Sequence, residues 1–212
     1  MEDAPLVIAG LVLAAGSGSR FGPGPPKVLA RLGDKTLLEL AIGPLRAAGL
    51  RPLVVVVGFA GDQVVAGATL GDATVVPNPR HAEGQSTSLV AGLAAVSDDP
   101  SVEAVVVAMG DHPGVTPAVI EALVATYQRE LRPICVPTYR GQRGNPVLLA
   151  RPVFTVVARL NGDVGARAIM ERHPRWVAEV PADGLADPRD VDTQDDLRAL
   201  ASQGSHPGRE QA

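Results

Sequence analysis

Four glycines, one arginine and one lysine fall within Leu11–Lys27 (LVLAAGSGSRFGPGPPK), which opens on the end of an apolar run. Gly16, Gly18 and Gly22 let backbone N–H groups close on an anion, because no Cβ blocks the approach. Arg20 and Lys27 bring two full positive charges to the same mouth. A loop of this kind suits the phosphates of a nucleotide. Two other phosphate loops do not fit. No GKS or GKT triplet closes the segment, as a P-loop requires. The spacing Gly16, Gly18, Gly22 is one residue longer than GxGxxG, and the second apolar run, Leu53–Val57, ends in Gly58-Phe59 rather than in an acid that would hold a ribose.

Carboxylates that could complete such a site occur in two places. Gly110-Asp111-His112-Pro113 follows the apolar run Ala104–Met109. Ligands of open α/β sheets sit at the carboxyl ends of the strands, which turns Asp111 toward the same crevice as the glycine-rich loop. A carboxylate there suits Mg²⁺, usually held by one or two carboxylates plus substrate phosphates; a turn aspartate before a helix is the plainer use of the same residue. His112 beside it could touch substrate. In Asp190-Val191-Asp192-Thr193, alternation puts Asp190 and Asp192 on one face of an extended segment. Capping and the helix dipole explain Thr193, Asp195 and Asp196 without further function. Glu83–Ser88 (EGQSTS) opens a helix whose free N–H groups and hydroxyls suit a base edge or a ribose, or in which Ser86 is simply the cap.

The stretch Leu13–Gly22 with Pro26-Lys27 resembles the LxxGxGxRxG…Pro-Lys signature of the sugar-nucleotide-type nucleotidyltransferases, and its Leu-Ala-Ala-Gly opening is most similar to the MobA-like, molybdopterin cytidylyltransferase branch. The resemblance runs from Leu6 to about Leu200. It implies an α/β fold, a single three-layer α/β/α domain with a mostly parallel, Rossmann-like nucleotidyltransferase sheet. It implies nucleotide binding by Leu13, Ala14, Ala15, Gly16, Ser17 and Gly18, with Gly84 and Ser88 from a Gly-x-x-x-Ser segment. It implies Arg20, Lys27 and Asp111 as catalytic residues, and Mg²⁺ on Asp111 and Asp192 with Asp190 in support. Arg143-Gly144-Asn145-Pro146 resembles the family's Gly-x-Pro turn, and Gly162-Asp163-Val164-Gly165-Ala166-Arg167 its pterin-associated element, which makes Asn145, Asp163 and Arg167 the acceptor-binding residues. Gln194 stands where proline is usual, and Asn145 where many cytidylyltransferases have histidine. Ala15 ties the base to cytosine. The reaction implied is transfer of CMP from CTP to the terminal phosphate of molybdopterin with release of pyrophosphate, a molybdenum hydroxylase being the client of the product. Three alternatives stay open: a same-fold transferase with another base or acceptor, an NAD(P)H-dependent oxidoreductase of the same branch, and a non-catalytic cofactor carrier.

Such groups meet only if several strands end at one edge. Short apolar runs alternate with helical patterns, the signal for a mostly parallel sheet covered on both faces. Strands are expected at Leu6–Ala14, Leu53–Val57, Thr74–Val76, Ala104–Met109, Pro133–Thr138 and Pro146–Leu149. Helices are expected at Leu37–Ala48 with Thr36 as N-cap, at Ser86–Val96, from Thr116-Pro117, at Val164–Arg172 and at Asp195–Ala201. Trp176 is expected in the core, Glu179 and Asp183 in solvent. From Gln203 onward the composition predicts a disordered tail, leaving residues 1–202 as the nucleotidyltransferase domain.

At 212 residues with 46% hydrophobic content the chain is long enough for one α/β core that buries about 70% of its unfolded surface. Aromatics are only 3%, which argues against a base-stacking platform. A formal charge of -4 argues against nucleic-acid backbone binding. The single cysteine, Cys135, excludes an internal disulfide and suits a reducing cytosol. No apolar run approaches the length of a membrane span. The expectation is a cytoplasmic protein without nucleic-acid or membrane partners.

Overall fold

The computed structural model describes residues 6–204. β1 (Val7–Ala14) runs into the glycine-rich loop, which holds one short 3₁₀ turn at Ser19–Phe21 and another at Lys27–Leu29. A small hairpin follows, β2 (Arg31–Leu32) and β3 (Lys35–Thr36), and then α1 (Leu37–Ala47), β4 (Leu53–Val57), α2 (Gly61–Gly67), β5 (Thr74–Pro77), α3 (Gln85–Ser97) and β6 (Val102–Met109). The second half contributes α4 (Pro117–Glu130), β7 (Ile134–Tyr139), β8 (Gln142–Arg143), β9 (Val147–Ala150), α5 (Arg151–Val157), α6 (Ala166–Arg172), β10 (Val177–Pro181) and α7 (Gln194–Gly204).

The main sheet has the order β10-β7-β9-β6-β1-β4-β5, with β8 paired to β7. β1 lies parallel to both β4 and β6, placing Leu13 level with Val56 on one side and with Met109 on the other. β5 extends the parallel set, and β10 is parallel to β7. Only β8 and β9 run against their neighbours in this sheet. The mostly parallel α/β sheet expected from the alternation is therefore the observed one, and β1, β4, β5 and β6 all end at the same edge.

Strand alternation divides the core into two layers. Ile8 and Val12 of β1 face Leu38, Ile42, Leu45, Ile120 and Leu123 of α1 and α4. Leu11 and Leu13 face Leu89 and Leu93 of α3, with Phe154 and Ile169 further along the same layer. Gly92 lets α3 sit directly on β1, since a Cβ there would come 2.4 Å from Leu11. A third, smaller cluster joins Phe21 of the glycine-rich loop to Leu37 at the start of α1 and to Val191 before α7.

Capping follows the sequence closely. Thr36 closes a capping box with Glu39 at the start of α1, and Thr116 accepts from the Val119 N–H before a proline in the first turn of α4. Thr193 and Asp196 cap α7 reciprocally. Six elements are not legible in the sequence: the two-residue strands β2, β3 and β8, which are too short to show alternation, and α2, α5 and β10. α2 is seven residues with Val64 its one buried side chain, too short for a helical period. α5 follows β9 without a loop, so the apolar residues of strand and helix run together. β10 lies at the sheet edge between Trp176 and Pro181, where proline is tolerated. α6 begins at Ala166 rather than Val164, because Gly165 is its extended N-cap. Trp176 is partly buried against the second core layer and stacks on His173 at 4.0 Å. α7 continues to Gly204, and the remainder of the expected tail lies outside the described residues. Among the described residues no helix is long and apolar enough to cross a membrane.

Candidate active site

At the carboxyl edge of β1 the backbone turns through Ala15 and Gly16 into the exposed loop. Gly18 takes a left-handed conformation (φ 59°) and Lys27 folds back across it, since a Cβ on Gly18 would lie 2.8 Å from the Lys27 Cβ. The intervening Gly22–Pro25 is looped out into solvent, while Pro26 is buried and starts the turn that carries Lys27. The Pro-Gly-Pro-Pro at residues 23–26 thus leaves Lys27 aimed at the loop.

The Lys27 side chain is 10% exposed, and its ammonium donates to Asp111 Oδ2 at 2.6 Å and to Asp192 Oδ1 at 3.0 Å. Arg20 reaches the other oxygen of Asp192 at 2.7 Å from a side chain that is 75% exposed. Burial works against the Lys27 charge, but the Asp111 carboxylate and the hydrogen bonds to Asp111 and Asp192 outweigh it and hold the ammonium above the ordinary lysine range. The two acidic segments are locked to each other by a backbone bond from the Val191 N–H to the Asp111 carbonyl, 3.0 Å. Asp192 is fixed from behind by Asp196, whose carboxylate accepts from the N–H groups of Asp192 and Thr193.

The second Asp111 oxygen, Oδ1, is buried without a hydrogen-bond partner, with His112 Nε2 at 3.7 Å. A buried, unpartnered carboxylate oxygen is costly unless a cation completes it. Among the described residues no three His, Cys, Asp or Glu side chains converge as a full ligand set. Two carboxylates with one open oxygen fit a hard divalent ion whose other ligands are phosphates and water. Asp190 is exposed, whereas Asp192 is half-buried within the cluster.

Gly84, not Ser86, is the N-cap of α3. The Ser86 hydroxyl instead donates to the Gly162 carbonyl at 2.7 Å, and the Gln85 N–H reaches Asp163 Oδ1 at 3.4 Å. A Cβ on Gly84 would overlap the Gly162 backbone at 2.4 Å, so the two loops are in direct contact. Ser88 is buried, its hydroxyl accepting from Asn78 Nδ2 at 2.9 Å, which ties α3 to the end of β5. Beyond this junction lies a cavity of about 830 Å³ that brings Asn145, Asp163 and Arg167 together with Gln85, Glu171 and Glu179. Glu179 accepts from Arg143 at 2.8 Å and Glu171 from Arg167 at 3.0 Å. Phe21, Val191 and Gln85 are site-building residues that sequence reasoning missed. The only available signal was Phe21, a bulky apolar residue inside a loop of glycines and serines.

A glycine-rich loop and two facing carboxylates, at the carboxyl edge of a mostly parallel sheet, define an α/β protein of the nucleotidyltransferase fold. The chain belongs to the family of the MobA-like NTP transferase domain, whose profile matches residues 10–176. It is 30% identical over 208 residues to nicotine blue oxidoreductase of Paenarthrobacter nicotinovorans, covering 93% of this chain and 98% of that protein. The crystal structure of a homologue of Mycobacterium tuberculosis Rv0371c, from Mycobacterium sp. strain JC1, superposes with a TM-score of 0.79 at 35% identity, over 92% of this chain and 96% of the other. Rv0371c of M. tuberculosis H37Rv in complex with manganese superposes with a TM-score of 0.76 at 33% identity, over 94% and 100%.

Proposed function

We propose that this protein transfers a nucleoside monophosphate, CMP from CTP, to the terminal phosphate of a molybdopterin-type acceptor and releases pyrophosphate. The observation that carries this reading is the Lys27 ammonium between Asp111 and Asp192, with Arg20 alongside, at the mouth of the glycine-rich loop. Backbone N–H groups of Gly16–Gly18 and the Arg20 guanidinium would take the β- and γ-phosphates, while Lys27 meets the α-phosphate where charge develops. Asp111 and Asp192 would hold Mg²⁺, in keeping with the open Asp111 oxygen and with the manganese complex of Rv0371c. When bound, the ion contributes neutralisation of the phosphate charge.

The acceptor would occupy the cavity lined by Asn145, Asp163 and Arg167, which adjoins the nucleotide side through the contact of Gly84 with Gly162. A phosphate monoester has a second pKa near 6, so it arrives ionised and needs no protein base. Transfer then depends on alignment and charge, with pyrophosphate leaving in line as the acceptor oxygen attacks. Ala15, at the loop entrance, is the residue we connect with cytosine.

The relative named as a nicotine blue oxidoreductase supports a second reading, reduction or oxidation of a small molecule with NAD(P)H. One experiment separates the two. Pyrophosphate release is measured with Mg²⁺ and molybdopterin, offering CTP, GTP, ATP and UTP in turn, beside NAD(P)H consumption without triphosphate. Release with CTP that disappears in Asp111→Ala supports the cytidylyl reading. Release with another triphosphate overturns the base, and NAD(P)H turnover without release overturns the transfer reaction.

A further inference from the structure

The four charged side chains of the site form one neutral chain: Arg20 on Asp192 at 2.7 Å, Asp192 on Lys27 at 3.0 Å, Lys27 on Asp111 at 2.6 Å. Both cations suited to a triphosphate are engaged with both carboxylates suited to a divalent ion. We propose that Lys27, assisted by Arg20, is a built-in substitute for the divalent cation, so that metal and triphosphate bind as a pair and neither binds well alone. This rests on the assignment of Asp111 and Asp192 as the metal-holding residues.

The physical argument concerns what each ligand would leave behind. A divalent ion arriving alone meets a positive charge held between its two carboxylates, and displacing it strands the ammonium of a side chain that is only 10% exposed. A triphosphate arriving alone draws Lys27 and Arg20 away and uncovers Asp111 and Asp192, one of whose oxygens is already buried and unpartnered. Arriving together, each supplies the counter-charge that the other removes. The coupling is reciprocal: whatever factor the nucleotide adds to metal affinity, the metal adds to nucleotide affinity.

The test is direct Mn²⁺ binding to the full-length protein, read from the free-Mn²⁺ EPR signal, with and without the non-hydrolysable α,β-methylene analogue of CTP. In the wild type, after subtraction of the Mn²⁺ that the analogue holds in protein-free solution, the analogue is expected to tighten Mn²⁺ binding about tenfold or more. Lys27→Met is expected to bind Mn²⁺ alone more tightly than the wild type by a similar factor, with the effect of the analogue reduced to what direct phosphate–metal contact supplies. Arg20→Gln, at a side chain 75% exposed and therefore safe for folding, shifts Mn²⁺ binding in the same direction by less. It carries the test should Lys27→Met not fold. Unchanged or weaker binding of Mn²⁺ alone in the variants that fold, or a wild-type affinity indifferent to the analogue, overturns the proposal. Asp111→Asn distinguishes the two levels of failure. If it abolishes Mn²⁺ binding while the Lys27 and Arg20 variants change nothing, the metal assignment stands and only the coupling is refuted. If Mn²⁺ binding ignores Asp111, the active-site reading fails with it.

Discussion

Replacing Gly18 by alanine separates two reasons for the glycine. Gly18 has φ 59° and ψ 34°, a left-handed conformation that costs an alanine roughly 1–2 kcal/mol. The added Cβ would also lie 2.8 Å from Lys27 Cβ, the root of that side chain rather than its flexible end. Ordinary carbon contacts begin near about 3.5 Å, so the turn bearing Lys27 must retreat by roughly 0.7 Å. That displaces an ammonium now 2.6 Å from Asp111. Strain and displacement together are expected to cost about 2–3 kcal/mol, lowering Tm by about 4–12 °C for a chain of this size. A misplacement of this order at a positioning group is expected to reduce kcat/KM about a hundredfold. Gly18→Asn is the decisive companion, because asparagine tolerates the left-handed region but carries the same Cβ. Differential scanning fluorimetry and pyrophosphate release on both variants should show Gly18→Asn recovering most of the Tm and little of the turnover. Recovery of turnover along with stability would refute the contact with Lys27 as the reason for glycine.

Phe21→Ala should open the small cluster with Leu37 and Val191 at a cost of about 3 kcal/mol, seen as a Tm fall of about 6–12 °C that Phe21→Leu largely avoids. Glu39 accepts from the N–H groups of Thr36 and Thr69, which hold its carboxyl down at about 2. A depressed carboxyl stabilises the fold above its unfolded pKa and loses that contribution as pH falls toward the folded one. Glu39→Gln should therefore flatten the fall of Tm between pH 4.5 and about 2, with a loss at neutral pH of about 1 kcal/mol or less after solvent screening. Burial pushes the Cys135 thiol up to about 12. At pH 8 the native protein should not react with Ellman's reagent, while the guanidinium-unfolded chain should yield one thiol; rapid native reaction would contradict the buried environment.

The parts of the fold legible in sequence were those with a strong local signal. β4, an unbroken Leu-Val-Val-Val-Val run, was read to the residue because a strand buried on both faces needs apolar side chains at every position. α1 was read from Thr36 because its cap chemistry is local. Elements that escaped have their cause in their neighbours: β10 is a strand only because β7 pairs with it, and α5 is hidden by its continuity with β9. The site shows the same division. Arg20, Lys27, Asp111 and Asp192 are marked by residue type and motif, and they meet. Asp190 carried the same signal as Asp192 yet stays in solvent, since side-chain alternation does not say which of two residues the neighbouring loop will engage. Ser86 satisfied the type rule for a cap, but Gly84 took that position because the Gly162 loop leaves no room for a side chain there.

Asp192 shows what the sheet alone would not provide. Parallel strands ending at one edge suffice to bring the glycine-rich loop beside Asp111, since Gly110 still donates to the Leu13 carbonyl where β6 leaves β1. Asp192 comes from a segment 81 residues later that belongs to no strand of the sheet. It is held by three contacts of different kinds: the Val191 N–H on the Asp111 carbonyl, the Val191 side chain packed with Phe21 and Leu37, and the Thr193–Asp196 cap of α7. Each ties the C-terminal segment to a part of the site already in place, so the segment that leads into α7 forms one wall of the candidate site. The loop gains as well, because Phe21 anchors the residue next to Arg20 and lets an otherwise exposed arginine keep a fixed partner in Asp192. Loop and C-terminal segment therefore order each other, and a change that loosens either one should be felt at the ammonium between the two carboxylates.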